Sequence, residues 1–294
     1  MQLLKRTQTQ DYLAIASALS EKFAATAVER DRDAGLPHLE VQRLREAGLL
    51  PLVIPREYGG IGATWVEALP IVRELAKAEG SIGQLYANQL ILSAAVEAVG
   101  TPTQAERYGR ATADGHLFWG NAFNTRDTRL KIAPEGNHYR VNGIKSFGTG
   151  VAVADLRVFT AMQDGVEYPI GFVLPRDRTG VTYNHDWDNM GQRRTASGSF
   201  TFNNVFVHAD EILGPPPCPT GAFPTFINVV NQLAKTNVYL GIAAGALATA
   251  TAYTTTTTRP WLTSGVDSAA QDPYILRHYG ELWTNLQAAI AIAD

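Results

Sequence analysis

The sequence contains a single cysteine among 294 residues, Cys218, and this scarcity limits the chemistry of the chain. One thiol cannot form an internal disulfide, an iron–sulfur cluster or a cysteine-based zinc site, and such usage is typical of a reducing compartment. The six histidines are dispersed without the spacing of metal ligands, so we expect no metal. No run of about 18 apolar residues predicts a membrane span, and the N-terminus lacks an apolar signal core. These absences predict a cytoplasmic protein.

Charge of one sign is also lacking, because 25 basic and 28 acidic residues leave a net charge of −3. Nucleic acids and anionic membranes select concentrated basic surfaces, whereas the basic residues here are scattered, with runs no longer than pairs such as Arg193-Arg194. Dinucleotide-binding, Walker A, nucleophile-elbow and His-Glu-x-x-His motifs are missing. The sequence therefore gives no support to a nucleoside-triphosphatase, a hydrolase, a metalloenzyme or a nucleic-acid-binding protein.

Hydrophobic periodicity divides the chain into three parts. Residues 1–115 show apolar residues at helical spacing, residues 116–222 show short alternating runs typical of an antiparallel sheet or small barrel, and residues 223–294 are helical again. Ser81 and Thr101 are predicted N-caps, and Asp272-Pro273 is predicted to start the last helix. The dipeptide Asn142-Gly143 predicts a tight turn between two strands. The pattern thus predicts an α+β protein of three domains.

The sequence ends at Asp294 within an apolar helical pattern, without the glycine or basic residue that commonly closes a helix. This ending predicts a C-terminal helical bundle that is incomplete as given. A short terminal helix that frays at its end is the alternative.

Three segments carry a resemblance to a known family. Residues 47–63 (AGLLPLVIPREYGGIGA), 141–150 (VNGIKSFGTG) and 191–207 (GQRRTASGSFTFNNVFV) resemble, in the same order, three motifs of the acyl-CoA dehydrogenase superfamily. The order helices, β-domain, helices is also that of the superfamily. The resemblance implies the acyl-CoA dehydrogenase fold, with an N-terminal helical domain, a central antiparallel β-domain and a C-terminal helical bundle.

Further segments point to one branch of that superfamily. Where the dehydrogenases carry Thr-Glu-Pro, this sequence has GNAFN at 120–124, and residues 80–89, 186–199 and 259–283 resemble the sulfur-acquisition flavin monooxygenases, which include the dibenzothiophene monooxygenases. The resemblance implies reduced FMN supplied by a separate flavin reductase, with FAD less expected. It also implies molecular oxygen as co-substrate, a C4a-peroxyflavin, and oxygenation of a hydrophobic organosulfur or similar small molecule.

The resemblance also implies roles for individual residues. Thr149 corresponds to the hydroxyl residue near flavin N5, and Asn121 or Asn124 to the contact with the pyrimidine edge of the ring. An asparagine amide can both donate and accept there. Trp187 corresponds to the tryptophan beside the flavin, where an aromatic face excludes water, and Arg259 to the arginine that reaches a neighbouring subunit's flavin phosphate. The structural alternatives are a strand cap for Thr149, a turn for either asparagine, core packing for Trp187 and a plain surface position for Arg259.

Gln89 stands where the related monooxygenases commonly have a histidine near the reacting end of the flavin. Glutamine can form hydrogen bonds there but cannot exchange a proton near neutral pH. Tyr86, Asn88 and Ser93 on the same predicted helix could line a substrate pocket, although packing of the helix face explains them equally well.

Two other functions remain open at this point. An FAD-dependent acyl-CoA dehydrogenase would need the Thr-Glu-Pro segment that this sequence lacks, and a catalytically inactive scaffold subunit would agree with Gln89 and the abrupt end. The resemblance implies a homotetramer with flavin at the subunit boundaries.

Overall fold

The computed structural model describes residues 11–214 and 222–294. The first part of the described chain is helical, as predicted, and packs around one apolar core. Its helices are α1 (Tyr12–Ala24), α2 (Ala27–Asp33), α3 (His38–Glu46), α4 (Trp65–Ala78), α5 (Gly80–Val99) and α6 (Pro102–Gly115). The predicted loop at 51–62 separates α3 from α4 and contains only a short 3-10 turn at Arg56–Tyr58.

The caps of these helices follow from local sequence. Thr101 accepts a hydrogen bond from Gln104 N while the Gln104 side chain accepts from Thr101 N, a capping box that confirms the predicted cap of α6. The predicted cap at Ser81 is wrong, because α5 begins at Gly80 and Glu79 takes the extended capping conformation. Glu79 is held in place by an ion pair with Arg30 (2.6 Å), which the local sequence does not indicate.

The central part contains seven strands in two sheets. They are β1 (Trp119–Ala122), β2 (Lys131–Glu135), β3 (His138–Lys145), β4 (Leu156–Ala161), β5 (Ile170–Pro175), β6 (Val181–Tyr183) and β7 (Phe200–His208). The sheet β2-β3-β7-β6 is antiparallel, as predicted, but in the sheet β1-β4-β5 the pair β1–β4 is parallel. The parallel pair arises because β2 and β3, which lie in the other sheet, intervene in the chain between β1 and β4.

The predicted turn at Asn142-Gly143 is wrong. Both residues lie within β3, at a bulge opposite β7, and the turn between β2 and β3 is formed by Gly136 and Asn137 instead. Gly143 is required by close packing, since a Cβ atom there would lie 2.2 Å from Arg129 O. Asn142 accepts a hydrogen bond from Asn204 N (2.7 Å) and so fixes the bulge.

The two sheets enclose a core built around Phe159, whose ring contacts those of Phe172, Phe200 and Phe202. Aromatic pairs in edge and tilted arrangements stabilise such a core beyond the burial of their area. Strand β1 lies at the boundary between this core and the helices, and its Trp119 ring packs edge-on against Tyr108 of α6. The boundary between the β part and the helices therefore lies along β1.

The last part consists of the long helix α7 (Ala222–Thr256) and the helix α8 (Pro273–Ala293). Helix α7 packs closely on α4 because two glycines of α7 face the backbone of α4. A Cβ atom on Gly241 would lie 2.3 Å from Arg73 O, and one on Gly245 would lie 2.2 Å from Lys77 O. Asp272 accepts a hydrogen bond from Tyr274 N (2.9 Å), which confirms the predicted start of α8. In the described ranges, no helix is long and apolar enough to cross a membrane.

Candidate functional site

Two of the predicted site residues meet where β1 leaves the helical core. Asn121 N donates a hydrogen bond to Thr149 O (3.1 Å), which joins β1 to the segment after β3. Gly120 permits this approach, because a Cβ atom there would lie 2.6 Å from Val151 N. The half-buried amide of Asn121 forms no side-chain hydrogen bond with any residue of the described chain. Its donor and acceptor are therefore available to a ligand.

A chain of hydroxyl groups leads away from Thr149. The Thr149 and Ser197 hydroxyl oxygens lie 2.9 Å apart, Ser197 donates to the Thr195 hydroxyl (2.8 Å), and Thr195 donates to Gln192 O (2.9 Å). Each hydroxyl has one proton. Because the protons of Ser197 and Thr195 are already used, Thr149 must donate to Ser197. Its remaining lone pairs can accept a hydrogen bond from a ligand such as a flavin N5–H.

Trp187 joins the same network from the other side. Its Nε1 donates to Gln192 O (3.1 Å), the oxygen that also accepts from Thr195. The Phe147 ring stands edge-on to the indole, with 6.3 Å between the centroids, and is itself exposed. The structure thus brings Asn121, Thr149 and Trp187 into one connected cluster, with two aromatic rings at its edge.

The two segments that form this cluster have unusual backbone conformations. Seven non-glycine residues of the described chain have positive φ, and four of them are Phe147, His185, Gln192 and Ala196. Such conformations cost free energy and concentrate at ligand clamps and active sites, where the surrounding contacts hold them. Their concentration here points to the segments 146–150 and 185–199 as a binding site.

The segment 185–199 is fixed at both ends. Asp186 accepts hydrogen bonds from Ser199 N (2.7 Å) and from the Ser199 hydroxyl (2.6 Å), and these bonds lower the pKa of Asp186. Arg193 donates to Asp31 O (3.0 Å), and Arg194 donates to Ala34 O. The segment that carries Thr195 and Ser197 is therefore tied to the end of α2.

Arg194 also belongs to a cluster of charged side chains, most of them buried, that links the site segment to the helical part. It pairs with Glu40 (2.8 Å), Glu40 pairs with Arg30 (2.6 Å), and Arg30 pairs with Glu79 (2.6 Å). Burial raises the pKa of Glu79 to about 7, although the Arg30 guanidinium opposes this shift. Because removal of one partner from a buried ion pair is costly, this cluster holds α2, α3 and the site segment in one arrangement.

Gln89 does not have the environment of a catalytic group. Its side chain is 0% exposed and lies inside the protein. The amide nitrogen donates to Leu50 O (2.9 Å) and Leu117 O (3.2 Å), and the amide oxygen accepts from Trp119 N (2.7 Å). This geometry disagrees with the expected catalytic role and makes Gln89 a positioning residue that holds the start of β1, two residues before Asn121.

The other predicted pocket residues on α5 differ from one another. Tyr86 donates to Leu49 O (3.0 Å) and Ser93 donates to Leu90 O (3.2 Å), so both polar groups are satisfied by backbone within the helical core. Asn88 instead accepts a hydrogen bond from Lys235 Nζ of α7 (2.8 Å). Only Asn88 is thus part of a polar contact between two helices next to the cluster.

Asn124 and Arg259 lie outside the cluster. The Asn124 side chain accepts from Arg126 N (3.3 Å) in a local turn, and Asn124 O accepts from the buried Lys145 ammonium (2.7 Å), so this asparagine serves the turn. Arg259 is exposed in the loop between α7 and α8, without an ion pair to any described residue. Across residues 11–214 and 222–294, no three His, Cys, Asp or Glu side chains are grouped as metal ligands would be.

Sequence reasoning missed Thr195, Ser197 and Phe147, which complete the cluster. Thr195 and Ser197 belong to the motif at 191–207, but only the fold shows that their hydroxyl groups form a chain to Thr149. The cluster fits a planar heteroaromatic ring, because it combines an amide that no described side chain bonds, a hydroxyl acceptor and two aromatic side chains around strained backbone.

Comparison with known proteins was made for both sequence and structure. Residues 8–116 match the family described as acyl-CoA dehydrogenase, N-terminal domain. The chain is 39% identical over 284 residues to the "Probable FMNH2-dependent monooxygenase SfnC" of Pseudomonas putida, covering 96% of this chain and 72% of that protein. It is 42% identical over 298 residues to a dibenzothiophene monooxygenase of Rhodococcus erythropolis, with the same two coverages of 96% and 72%.

Among solved structures, the methanesulfinate monooxygenase MsuC of Pseudomonas fluorescens superposes with a TM-score of 0.92. It is 38% identical in sequence, and the match covers 96% of this chain and 73% of that one. Because the match covers 96% of this chain, the similarity extends over all three parts of the fold.

Proposed function

Because this chain belongs to the acyl-CoA dehydrogenase superfamily, in its branch of reduced-flavin-dependent monooxygenases, we propose that it uses reduced FMN and molecular oxygen to oxygenate a small organosulfur compound. One oxygen atom is added to the substrate and the other leaves as water, while reduced FMN is oxidised to FMN. The observation that carries the proposal is the convergence of Asn121, Thr149 and Trp187 on one hydrogen-bonded cluster.

We assign the flavin ring to the space beside this cluster. Asn121 presents a side-chain amide that no described residue bonds, and it suits the pyrimidine edge of the ring, where both donors and acceptors are displayed. Thr149 offers lone pairs, since its proton is given to Ser197. Asn124 is the weaker candidate for the same edge, because its side chain is used in a turn.

Reduced FMN, when bound, supplies the electrons that activate oxygen. The chain's own residues orient the ring and keep water from it. Trp187 and Phe147 place two aromatic side chains at the edge of the cluster, and the network through Gln192 O holds the indole in place. Protection from water matters because it prevents loss of the activated oxygen before the substrate reacts.

The partners follow from this chemistry. We propose that reduced FMN comes from a separate flavin reductase, because a similar protein is named as an FMNH2-dependent monooxygenase. We propose a cytoplasmic location, where reduced flavin and a reduced Cys218 are compatible.

We further propose that the enzyme is a homotetramer in which Arg259 binds the FMN phosphate of a neighbouring subunit. Helix α8 buries none of its residues within the chain, and Trp283 is 59% exposed. A groove of ≈ 870 Å³ between α7 and α8 is lined by apolar groups, among them Leu247, Ile275 and Leu286. Apolar surface of this extent is typical of a subunit interface, and an exposed arginine beside it can reach across.

The proposal is tested with purified protein, FMN, a flavin reductase with NADH, and an organic sulfide under air. We expect FMN binding that can be titrated by absorbance, and sulfoxide formation that requires both the reductase and oxygen. Trp187→Phe serves as a matched variant that retains an aromatic ring but loses the bond to Gln192 O. It should raise the fraction of reducing equivalents lost as hydrogen peroxide.

The two alternative functions predict different results. An acyl-CoA dehydrogenase would bind FAD and bleach its absorbance when an acyl-CoA is added without a reductase. A scaffold subunit would bind neither flavin, even in the presence of sulfide and reductase. Either result would remove the monooxygenase proposal while leaving the fold intact.

A further inference from the structure

Helix α7 carries a half-buried lysine that contacts α5, the helix that also packs against the 193–195 turn of the proposed flavin site. Lys235 Nζ donates to Asn88 Oδ1 of α5 (2.8 Å), and the Asn88 side chain is itself only 6% exposed. No carboxylate of the described residues pairs with this ammonium. Its one hydrogen-bond partner among these residues, the Asn88 amide, is therefore neutral.

A half-buried ammonium group without a counter-charge is unusual. Removing a cation from water costs several kcal/mol unless an anion or several hydrogen bonds replace the lost hydration. Lys235 has three N–H donors, and the structure uses one of them. Burial lowers the pKa of Lys235 to about 8, so the group still carries its proton at neutral pH. Two donors and a positive charge are left for a ligand.

The position of this pair connects it to the flavin cluster. Asn88 follows Leu85 by three residues, so the two lie on one face of α5, about 4.5 Å apart along the helix axis. Leu85 packs against the site segment, since its Cδ2 atom lies 3.0 Å from where a Cβ on Gly150 would be. Gly150 follows Thr149 and donates to Thr195 O (3.0 Å). Asn88, which holds the ammonium, thus lies one turn of α5 beyond the leucine that packs against Gly150.

We propose that Lys235, held by Asn88, binds the anionic group of the substrate, so that the substrate class is an anionic organosulfur compound such as an alkanesulfinate. This inference rests on the proposed monooxygenase function and specifies its substrate. Relatives of the chain are named for a neutral aromatic sulfide and for an anionic sulfinate. A neutral sulfide would leave the ammonium unpaired, whereas a sulfinate oxygen would accept its free N–H groups.

The test compares methanesulfinate with dibenzothiophene in steady-state assays with reductase and FMN. The measured quantity is the ratio of kcat/KM for the anionic substrate to kcat/KM for the neutral one. Lys235→Met should lower this ratio at least tenfold, mainly through KM for methanesulfinate, and Lys235→Arg should restore part of it. Lys131→Met, at an exposed lysine of β2, is the matched control and should leave the ratio unchanged. An unchanged ratio in Lys235→Met refutes the proposal.

A binding measurement separates this inference from the function on which it rests. Isothermal titration of methanesulfinate into the enzyme with oxidised FMN requires no turnover. Binding that is lost in Lys235→Met supports the anion site even if no product forms, in which case the monooxygenase proposal fails instead. Sulfoxidation of dibenzothiophene without any binding of methanesulfinate refutes the anion site and leaves the monooxygenase standing.

A purely structural role for Lys235 gives a third pattern. If the lysine only ties α7 to α5, Lys235→Met lowers the melting temperature and methanesulfinate binds as before, which refutes the proposal. An anion site predicts an equal or higher melting temperature for Lys235→Met, because the change removes a desolvated charge. Lys235→Gln provides a second neutral variant should the methionine variant fail to fold.

Discussion

Replacement of Gln89 by leucine tests whether this residue positions β1 or takes part in catalysis. The substitution conserves the approximate volume of the side chain but removes its two donors and one acceptor. Leu50 O, Leu117 O and Trp119 N then lose their partner in the interior. Backbone groups in this position cannot turn to water without moving β1 away from α5.

The magnitude follows from the burial of these three contacts. The bonds to Leu50 O and Trp119 N are fully buried and the bond to Leu117 O is partly buried. Each unsatisfied buried group costs about 1–3 kcal/mol, and the gain from burying an apolar side chain offsets some of this. We therefore expect Gln89→Leu to lower the free energy of unfolding by about 3 kcal/mol, which corresponds to roughly 6–12 °C in melting temperature for a chain of this size.

The assay is a pair of thermal and urea unfolding curves for wild type, Gln89→Leu and the control Gln42→Leu. Gln42 is an exposed residue of α3 whose amide bonds Glu46, so its replacement should change stability by less than about 0.5 kcal/mol. Gln89→Leu should also bind FMN more weakly, because β1 carries Asn121. An unchanged melting temperature combined with lost turnover would refute the positioning role and return Gln89 to the reacting site.

Three further changes test other parts of the structure. Thr149→Val removes the proton given to Ser197 and the acceptor offered to the N5–H of reduced FMN, so the Kd for reduced FMN should rise roughly fivefold, for a loss of about 1 kcal/mol in an anaerobic absorbance titration. Burial raises the pKa of Glu79 from 4.5 to about 7, so between these pH values the folded protein binds a proton that the unfolded chain does not. The free energy of unfolding should therefore decrease as pH rises through this window, and Glu79→Gln should flatten that decrease when urea unfolding is compared at pH 5 and 7.5. Gly120→Ala should lower the melting temperature, because a Cβ would meet Val151 N at 2.6 Å, whereas Gly191→Ala, with nothing within 4 Å, should not.

Much of the fold could be predicted from the sequence, because the information is local. The cap at Thr101, the start of α8 at Asp272 and the short apolar or alternating runs of β4 to β7 each depend on residues that are neighbours in the chain. The errors have a common cause. Asn142-Gly143 has the composition of a turn, but its glycine serves a close approach to Arg129 O, which is distant in sequence. The parallel pairing of β1 with β4 is likewise a long-range feature.

The candidate site was predictable only where a motif carried it. Asn121, Thr149 and Trp187 were identified by resemblance, and the structure brings them together. Thr149 donates its proton to Ser197 because Ser197 and Thr195 donate theirs further along the chain, and no sequence pattern shows that these three hydroxyl groups are in contact. Whether the side chain of a helical glutamine or asparagine points to the core or to a cleft depends on the packing of neighbouring helices. For this reason neither the buried position of Gln89 nor the Lys235–Asn88 pair could be derived from the sequence.

The anchoring of segment 185–199 to α2 by Arg193 and Arg194 has a consequence for protein engineering. In chimeras that transplant this segment between relatives, the two arginines would need the same backbone course after α2 and a carboxylate at the position of Glu40. A successful exchange would have to carry residues 27–40 along with 185–199. Recombination libraries for altered substrate range should therefore keep these two distant stretches in one inherited block.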